Sequence, residues 1–173
     1  MDIVIEKMLP EHWSEVAQIY AEGIETGNAT FQKEVPTWTT WDVGHLPYGR
    51  LIARKTAKNA VYTEGSSILG WAALTAVSGR CVYAGVAELS VYVAAAARGQ
   101  GVGKLLMDNL IKETETNGLW TLQAGIFSEN IGSVQLHLKT GFRQIGYREK
   151  VGKMDGMWRD TLLFERRSSV VGV

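Results

Sequence analysis

The order of apolar and polar residues predicts a strand at the start of the chain and alternating helices and strands later. Ile3–Lys7 alternates apolar with polar side chains, which indicates a half-buried strand. Pro10 stands near the start of a predicted helix that ends near Gly27. The apolar residues of this helix recur at helical spacing: Trp13, Val16, Ile19, Tyr20 and Ile24. Residues 28–49 are mixed and aromatic, with room for one short helix.

The remaining pattern predicts a mixed domain. Two segments, 51–54 and 60–64, each fit the second strand, and the pattern alone does not decide between them. Two apolar runs, ILGWAALTAV at 68–77 and VAELSVYV at 86–93, predict buried strands. The predicted elements that follow are a helix at 104–117, a strand at 119–127, a helix at 130–140, a strand at 142–147 and a last strand at 160–165. This order indicates an α/β (α+β) fold. We expect a single domain over 1–167 and a flexible tail at 168–173.

Composition and charge exclude several classes of protein. The 173 residues are 46% hydrophobic, which is enough for a packed core and argues against disorder. Eighteen basic residues balance eighteen acidic ones, so we expect no nucleic acid partner. The longest apolar run, residues 91–97, is much shorter than the roughly 18 residues that span a membrane.

The few cysteines and histidines argue against an internal disulfide and a metal site. One cysteine, Cys81, cannot form an internal disulfide, and we expect it to be a small buried residue of a cytoplasmic protein. The first residues, MDIVIEKMLP, lack the basic and long apolar regions of a signal peptide. Three widely spaced histidines and one cysteine have no metal-ligand spacing, so we expect no metal.

A glycine-rich turn between a strand and the 104–117 helix is the most informative segment. Glycines let the backbone approach a bulky anion, because no Cβ atom intervenes. The first turn of a helix offers free N–H groups and the positive end of the helix dipole. The sequence therefore predicts a pyrophosphate-binding turn, made of Arg98, Gly99, Gln100, Gly101, Val102, Gly103 and Lys104.

Two other phosphate motifs fit this segment poorly. A P-loop needs glycine six residues before Lys104 and a hydroxyl residue after it, but Arg98 and Leu105 stand there. A dinucleotide-binding fingerprint has the spacing G-x-G-x-x-G and stands near the first strand, whereas the spacing here is G-x-G-x-G in the middle of the chain. Neither a nucleotide triphosphate nor a dinucleotide is therefore favoured.

Two motifs together resemble those of a known family. R-G-x-G-x-G after a strand of the form S-V-Y-V resembles the coenzyme-binding motif of the Gcn5-related N-acetyltransferase (GNAT) family. A second segment, N-x-x-S-x-x-x-H-x-x-x-G-F from Asn130 to Phe142, is similar to the family's second coenzyme segment. Further runs, among them GWAAL, GIFSEN, LHLKTGF and MDGMWRD, resemble the phosphinothricin acetyltransferase subgroup.

The resemblance implies a fold and an activity. The implied fold is a mixed central sheet flanked by helices, in which two parallel strands splay and acetyl-CoA fills the gap. The implied activity is transfer of acetyl from acetyl-CoA to the amine of a small amino acid or analogue of the phosphinothricin, methionine sulfone or methionine sulfoximine type. A homodimer is also implied. Alternatives are another amine acceptor, namely a protein N-terminus or a polyamine, and a non-catalytic acyl-CoA binding module.

The resemblance also assigns roles to single residues. Glu88 would be the general base that takes the proton of the amine, although an outward-facing strand residue is the plain alternative. His137 stands where many relatives carry a tyrosine that protonates the departing thiolate, so it is that acid, a coenzyme-binding residue or a structural residue on a helix face. The backbone of Val91, Tyr92 and Val93 would bind the pantetheine arm, together with Asn130 and Ser133.

Substrate recognition is the least determined part. Arg80, in the loop between two predicted strands, would bind the carboxylate of an amino acid, or is simply a solvated charge. Leu89 and Ser90 flank Glu88 and would contact substrate through backbone atoms. Phe31, with Trp38 and Tyr83, would form an apolar wall of the pocket.

Overall fold

The structure, a computed structural model, describes residues 3–56 and 68–173. In these residues seven strands form one sheet: β1 (Ile3–Lys7), β2 (Leu51–Lys55), β3 (Ile68–Ala76), β4 (Val86–Val93), β5 (Thr121–Phe127), β6 (Arg143–Met154) and β7 (Met157–Arg167). Four α-helices accompany them: α1 (Trp13–Glu25), α2 (Trp38–Gly44), α3 (Val102–Thr116) and α4 (Ile131–Lys139). Short 3₁₀ helices cover Pro10–His12, Cys81–Tyr83 and Ala95–Ala97.

The sheet has the order β1-β2-β3-β4-β5-β7-β6, and one neighbouring pair within it is parallel. That pair, β4 and β5, is in register only at Val86–Thr121, Ala87–Leu122 and Glu88–Gln123. Beyond Glu88 the two strands separate, while β4 stays paired with β3 and β5 with β7. The mixed fold with splayed parallel strands is therefore confirmed.

Both faces of the sheet are covered, and alternation along β4 decides which side chains face which layer. Ala87 and Leu89 belong to the core cluster that includes Leu106 of α3. On the opposite face, Trp71 belongs to a second cluster with residues of α1 and α2, and Tyr92 packs against it. Because successive residues of a strand point to opposite faces, Glu88 and Ser90 share the face of Tyr92.

Most predicted elements are confirmed, with different ends. The segment 51–54 lies in β2, which pairs with β1 and β3, whereas 60–64 lies outside the described residues. The helix predicted from Lys104 begins at Val102, and the last two strands are longer than predicted because they pair with each other as a hairpin. The short helix expected within 28–49 is α2, capped by the Thr37 side chain, which accepts from the backbone N–H of Thr40.

Cys81 corrects one prediction. It is exposed, not buried, because it starts the 3₁₀ helix of the β3–β4 connection, which lies on the surface.

The chain after β7 packs back onto the domain. Ser168 is buried; its backbone N–H donates to Trp120 O at 2.8 Å and its hydroxyl donates to Glu115 Oε1 at 2.9 Å. Arg167 Nη1 donates to Val171 O at 2.8 Å. Packed structure thus extends past residue 167, and the flexibility of 168–173 stays a prediction. In the described part of the chain, no helix combines the length and apolar character needed to cross a bilayer.

Candidate active site

A cleft of about 960 Å³ opens where β4 and β5 separate. Its walls are those two strands, the turn before α3 with the first turn of that helix, one side of α4, and residues 26–32, which we call the 26–32 segment. Most residues predicted for the site line this cleft: Phe31, Glu88, Leu89, Ser90, Val91, Tyr92, Val93, Arg98, Gly99, Gly101, Val102, Gly103, Lys104, Asn130, Ser133 and His137. The fold therefore brings both coenzyme-like motifs and the candidate base to one place.

The turn before α3 has the backbone that an anion site needs. Gly99 and Gly101 have φ values of +75° and +83°, in the left-handed region that glycine adopts without strain. A Cβ atom built on either glycine would meet nothing within 4 Å, so the space in front of this turn is open. Gly101 is the residue before α3, whose first N–H groups have no acceptor within the helix. These groups and the helix dipole favour a bound anion.

Positive side chains surround the same turn. Arg98 lies in the turn, with its Nε donating to Val93 O at 3.3 Å. Lys104 lies in the first turn of α3 and pairs with Asp108 at 2.6 Å. The third cation that lines the cleft in the described residues is Lys139 of α4. The positive charge of the cleft is thus concentrated where α3 and α4 meet it.

Four predicted residues lie outside the cleft lining. The Gln100 side chain donates to Ala96 O at 2.7 Å and so is used within the turn. Arg80 is exposed at the start of the Cys81–Tyr83 helix, and its backbone N–H donates to Ser78 Oγ at 3.2 Å. Trp38 and Tyr83 also do not line the cleft; Trp38 packs on Trp13 instead. Of the expected aromatic wall, only Phe31 is placed in the cleft.

Glu88 stands where the parallel strands part. Its backbone is in the last register pair, with Gln123, and its exposed side chain lines the cleft. Among the described residues this carboxylate has no hydrogen bond or ion pair, which leaves it open to a ligand. The backbone groups of Leu89–Val93 that face β5 are likewise without a strand partner on that side.

The other carboxylate of the described cleft lining, Glu129, is already engaged. Its pKa is held below the usual range, first by a hydrogen bond from its own backbone N–H and further by Ser128 and Arg159. Glu129 Oε1 lies 3.6 Å from Arg159 Nε, and Ser128 Oγ donates to Oε2 at 3.0 Å. Glu129 is therefore a poor proton acceptor compared with an unpaired carboxylate.

Asn130 joins α4 to the opposite wall of the cleft. It caps α4, because its Oδ1 accepts from the Ser133 N–H at 3.1 Å. Its Nδ2 donates to the backbone oxygen of Asn28 at 3.1 Å. Each of these groups has one further hydrogen-bonding position, which is available to a bound molecule.

His137 is buried in the core of this fold. It is 2% exposed, and its ring meets Phe142 edge-on and Phe164 at a tilted angle. Nδ1 lies 2.7 Å from the carbonyl oxygen of Ser133, which has no hydrogen to give, so Nδ1 carries the proton. Nε2 is then the unprotonated nitrogen, and it has no partner in the described residues. Burial lowers the pKa of His137, which opposes the protonated form that an acid would need.

The 26–32 segment was not expected as a wall, apart from Phe31. Asn28, Thr30 and Gln32 line the cleft from it. The Phe31 ring meets the Phe127 ring at 4.7 Å and a near-perpendicular angle. No periodic pattern marks this segment in the sequence, and its aromatic content was the single signal that could have found it.

A tyrosine cluster supports the cleft from behind. The Tyr20 and Tyr92 rings have centroids 4.9 Å apart, and burial raises the pKa of both tyrosines. The Tyr92 ring stacks on Trp71, with centroids 4.6 Å apart and planes 14° apart. Its side chain is thus part of the core, as expected.

Comparison with known proteins decides the family. The model of the acetyltransferase (GNAT) family matches residues 21–142, which is well over half of the chain. The chain belongs to the GNAT family. It is 36% identical over 160 residues to a phosphinothricin N-acetyltransferase of Alcaligenes faecalis, which covers 87% of this chain and 75% of that protein. It is 38% identical over 78 residues to an L-methionine sulfoximine/L-methionine sulfone acetyltransferase of Pseudomonas paraeruginosa, 45% of each chain.

The solved structures agree on the fold. A GNAT superfamily phosphinothricin acetyltransferase from Sinorhizobium meliloti, solved in complex with acetyl-CoA, superposes with a TM-score of 0.83. The match covers 99% of this chain and 91% of that one at 24% identity, and it shows the shared GNAT fold. An N-acetyltransferase from Staphylococcus aureus gives a TM-score of 0.79 at 26% identity, over 96% of this chain and 99% of that one.

Family membership makes this chain an acetyltransferase with acetyl-CoA as its co-substrate. The cleft fits that molecule on the chain's own geometry, since the open glycine turn, the start of α3 and two nearby cations suit a pyrophosphate. Within residues 3–56 and 68–173, no group of three or more His, Cys, Asp or Glu side chains is placed to hold a metal ion.

Proposed function

We propose that this GNAT enzyme transfers acetyl to the α-amine of a small amino acid or analogue of the phosphinothricin and methionine sulfoximine type. The names of the relatives support the acceptor class. The observation that carries the proposal is the unpaired carboxylate of Glu88, located where the strands part and in the same cleft as the glycine turn.

In the proposed mechanism the chain first holds the coenzyme along the cleft. The N–H groups of Val102–Lys104, with Arg98 and Lys104, bind the pyrophosphate. The unpaired backbone of residues 91–93 binds the pantetheine arm, and Asn130 and Ser133 contact it from α4. When bound, acetyl-CoA supplies an activated acyl thioester. An N–H group of β4 polarises the carbonyl oxygen at which negative charge develops.

Glu88 then makes the amine reactive. An amine is mostly protonated at neutral pH and cannot attack until it loses that proton, which Glu88 accepts directly or through one water. A new N–C bond forms and the C–S bond breaks. The ammonium proton passes through Glu88 to solvent. The nitrogen loses its second proton as the amide forms, and that proton reaches the departing thiolate through water. We assign no acid role to His137, because its Nδ1 proton is held by a backbone carbonyl and burial lowers the pKa of the ring.

For acceptor recognition we retain Leu89 and Ser90, which follow Glu88 on β4, and Phe31, which lines the same cleft. Leu89 and Ser90 offer backbone atoms, and Phe31 offers an apolar wall. Arg80 is not part of the proposal, because it is exposed outside the cleft lining.

Thiol release from acetyl-CoA tests the acceptor class. The panel contains phosphinothricin, methionine sulfone, methionine sulfoximine, the standard amino acids, spermidine and a short peptide. We expect turnover with one or more small amino acids or analogues and little with the others. Turnover restricted to spermidine or the peptide would reassign the acceptor. Acetyl-CoA binding without release from any amine would favour a binding module.

We also propose a cytoplasmic homodimer. A cytoplasmic place is supported by the single cysteine, which leaves no internal disulfide. The dimer is supported by exposed apolar side chains on the β6–β7 hairpin: Tyr147, Val151, Met157 and Trp158. Light scattering over a range of concentrations, with Trp158→Arg as the variant, tests the dimer. Cell fractionation tests the location.

A further inference from the structure

Arg159 on β7 has a set of contacts that the proposed mechanism does not use. Its side chain is 10% exposed. Nη1 donates to Gly27 O at 2.8 Å, and Nη2 donates to Asn28 Oδ1 at 2.9 Å. Nε lies 3.6 Å from Glu129 Oε1, and the guanidinium lies over the Phe127 ring at 4.2 Å. One buried cation thus touches the 26–32 segment, β5 and the residue before the Asn130 cap.

These contacts suit an arginine and no other side chain. A buried charge is costly unless it is paired and hydrogen-bonded, so its partners must hold their places for the group to be stable. The planar guanidinium donates in two fixed directions, here to two consecutive residues, whereas a lysine ammonium cannot reproduce that fork. Arg159 therefore fixes both the position and the orientation of the chain at residues 27 and 28.

The residues fixed in this way form the cleft wall. Asn28 lines the cleft itself, and its backbone oxygen accepts from Asn130 Nδ2 at 3.1 Å. Phe31, three residues later, packs on Phe127, the same ring that lies under Arg159. Arg159 itself does not line the cleft and supports the 26–32 segment from behind.

We propose that Arg159 is a positioning residue that holds the 26–32 segment as the wall of the acceptor pocket. It sets the affinity for the amine acceptor without acting on the coenzyme or on the proton transfer. The role rests on the proposed function, because it takes the acceptor site to lie in the cleft that Glu88 and the 26–32 segment both line.

Steady-state kinetics of two variants and a matched control test the role. In Arg159→Met we expect the KM for the acceptor to rise about tenfold or more, since two hydrogen bonds to a charged group are lost. The KM for acetyl-CoA stays within about twofold and kcat within about threefold, because Glu88 and the turn before α3 are untouched and Asn130 stays held at α4 by its bond from the Ser133 N–H. We expect the acceptor KM of Arg159→Lys to lie between those of wild type and Arg159→Met. The control is Arg166→Met, a partly buried arginine on the same strand that pairs with Glu115 at 3.1 Å outside the cleft.

Amide hydrogen exchange gives a readout that needs no turnover. In Arg159→Met we expect faster exchange at residues 26–32 and unchanged exchange in α3, whereas Arg166→Met leaves 26–32 unchanged. If wild type turns over no amine, the proposed function has failed, and the exchange result still decides whether Arg159 holds the segment. Unchanged exchange at 26–32 in Arg159→Met overturns the proposal. So does an equal rise in acceptor KM in Arg166→Met, or a loss confined to kcat.

Discussion

Replacing Glu88 by glutamine separates base catalysis from binding, because the two side chains share their shape and differ in the ability to accept a proton. The Glu88 carboxylate is exposed in the cleft and has no hydrogen bond or ion pair among the described residues. A substitution at such a site changes the free energy of unfolding by about 0.5 kcal/mol or less. A positioned general base contributes roughly 10²–10⁴ in rate, or about 3–5 kcal/mol of transition-state stabilisation.

We therefore expect kcat of Glu88→Gln to fall by roughly 10²–10⁴, with acetyl-CoA affinity unchanged within about twofold. Thiol release at saturating acetyl-CoA measures the rate, and calorimetric titration measures the affinity. A pH series adds a second signature. Without the base, only acceptor that has already lost its proton reacts, so the residual rate rises about tenfold per pH unit below the amine pKa.

Glu129→Gln is the matched control, since it removes the other carboxylate of the described cleft lining. Glu129 is half-exposed and its pair with Arg159 is 3.6 Å long, so we expect kcat to change by about threefold or less. An unchanged kcat in Glu88→Gln would refute the assignment of the base. A large loss in Glu129→Gln alone would transfer the role to Glu129.

The other predictions concern the anion site, pH and packing. Gly101→Glu puts a carboxylate at the start of α3 and should abolish acetyl-CoA binding, measured by calorimetry. Gly101→Ala costs about 1–2 kcal/mol of backbone strain at φ +83° but should still bind acetyl-CoA. Equal affinities in the two variants would contradict an anion site. Burial lowers the pKa of His137 in the folded state below the unfolded value of about 6.5. The neutral ring therefore contributes its full share of folding stability above about pH 6.5, and this contribution is lost as pH falls toward the folded-state pKa. The Tm of His137→Gln should therefore fall less steeply than that of wild type between about pH 7 and 5, and parallel curves would argue against this. A Cβ atom at Gly85 would lie 2.0 Å from the Trp120 ring, so Gly85→Ala should lose about 1–3 kcal/mol by denaturant unfolding. Gly79→Ala, where a Cβ atom meets nothing within 4 Å, should lose far less, and similar losses would contradict the packing reason.

The residues proposed for coenzyme binding could be found from the sequence because they are local in it. Gly99 and Gly101 lie in one turn between a strand and a helix, and the structure shows that both adopt positive φ there. The Asn130 cap and Ser133 likewise lie within one helical turn. The second strand was less predictable, because 51–54 and 60–64 have similar patterns and the pairing of β2 with β1 and β3 is a long-range property.

The residues proposed to shape the acceptor pocket could not be predicted from local sequence patterns. Arg159 reaches Gly27 across 132 positions of sequence, and no local pattern relates the two. The sequence also found His137 but not its protonation, which depends on the 2.7 Å contact with a carbonyl and on burial. The burial predicted for Cys81 was wrong, because the connection between β3 and β4 lies at the surface. The carboxylate-binding role of Arg80, which lies on the same connection, stays a prediction.

The most direct test of the central claim is identification of the product that wild-type enzyme forms from acetyl-CoA and phosphinothricin. Mass spectrometry of the acceptor, run beside thiol release, shows where the acetyl group goes. We expect one acetyl group on the amino nitrogen, one thiol released for each product formed, and almost no product with Glu88→Gln. Acetyl-CoA binding with no acetylated product, from phosphinothricin or from any amino acid of the panel, would contradict the proposed function.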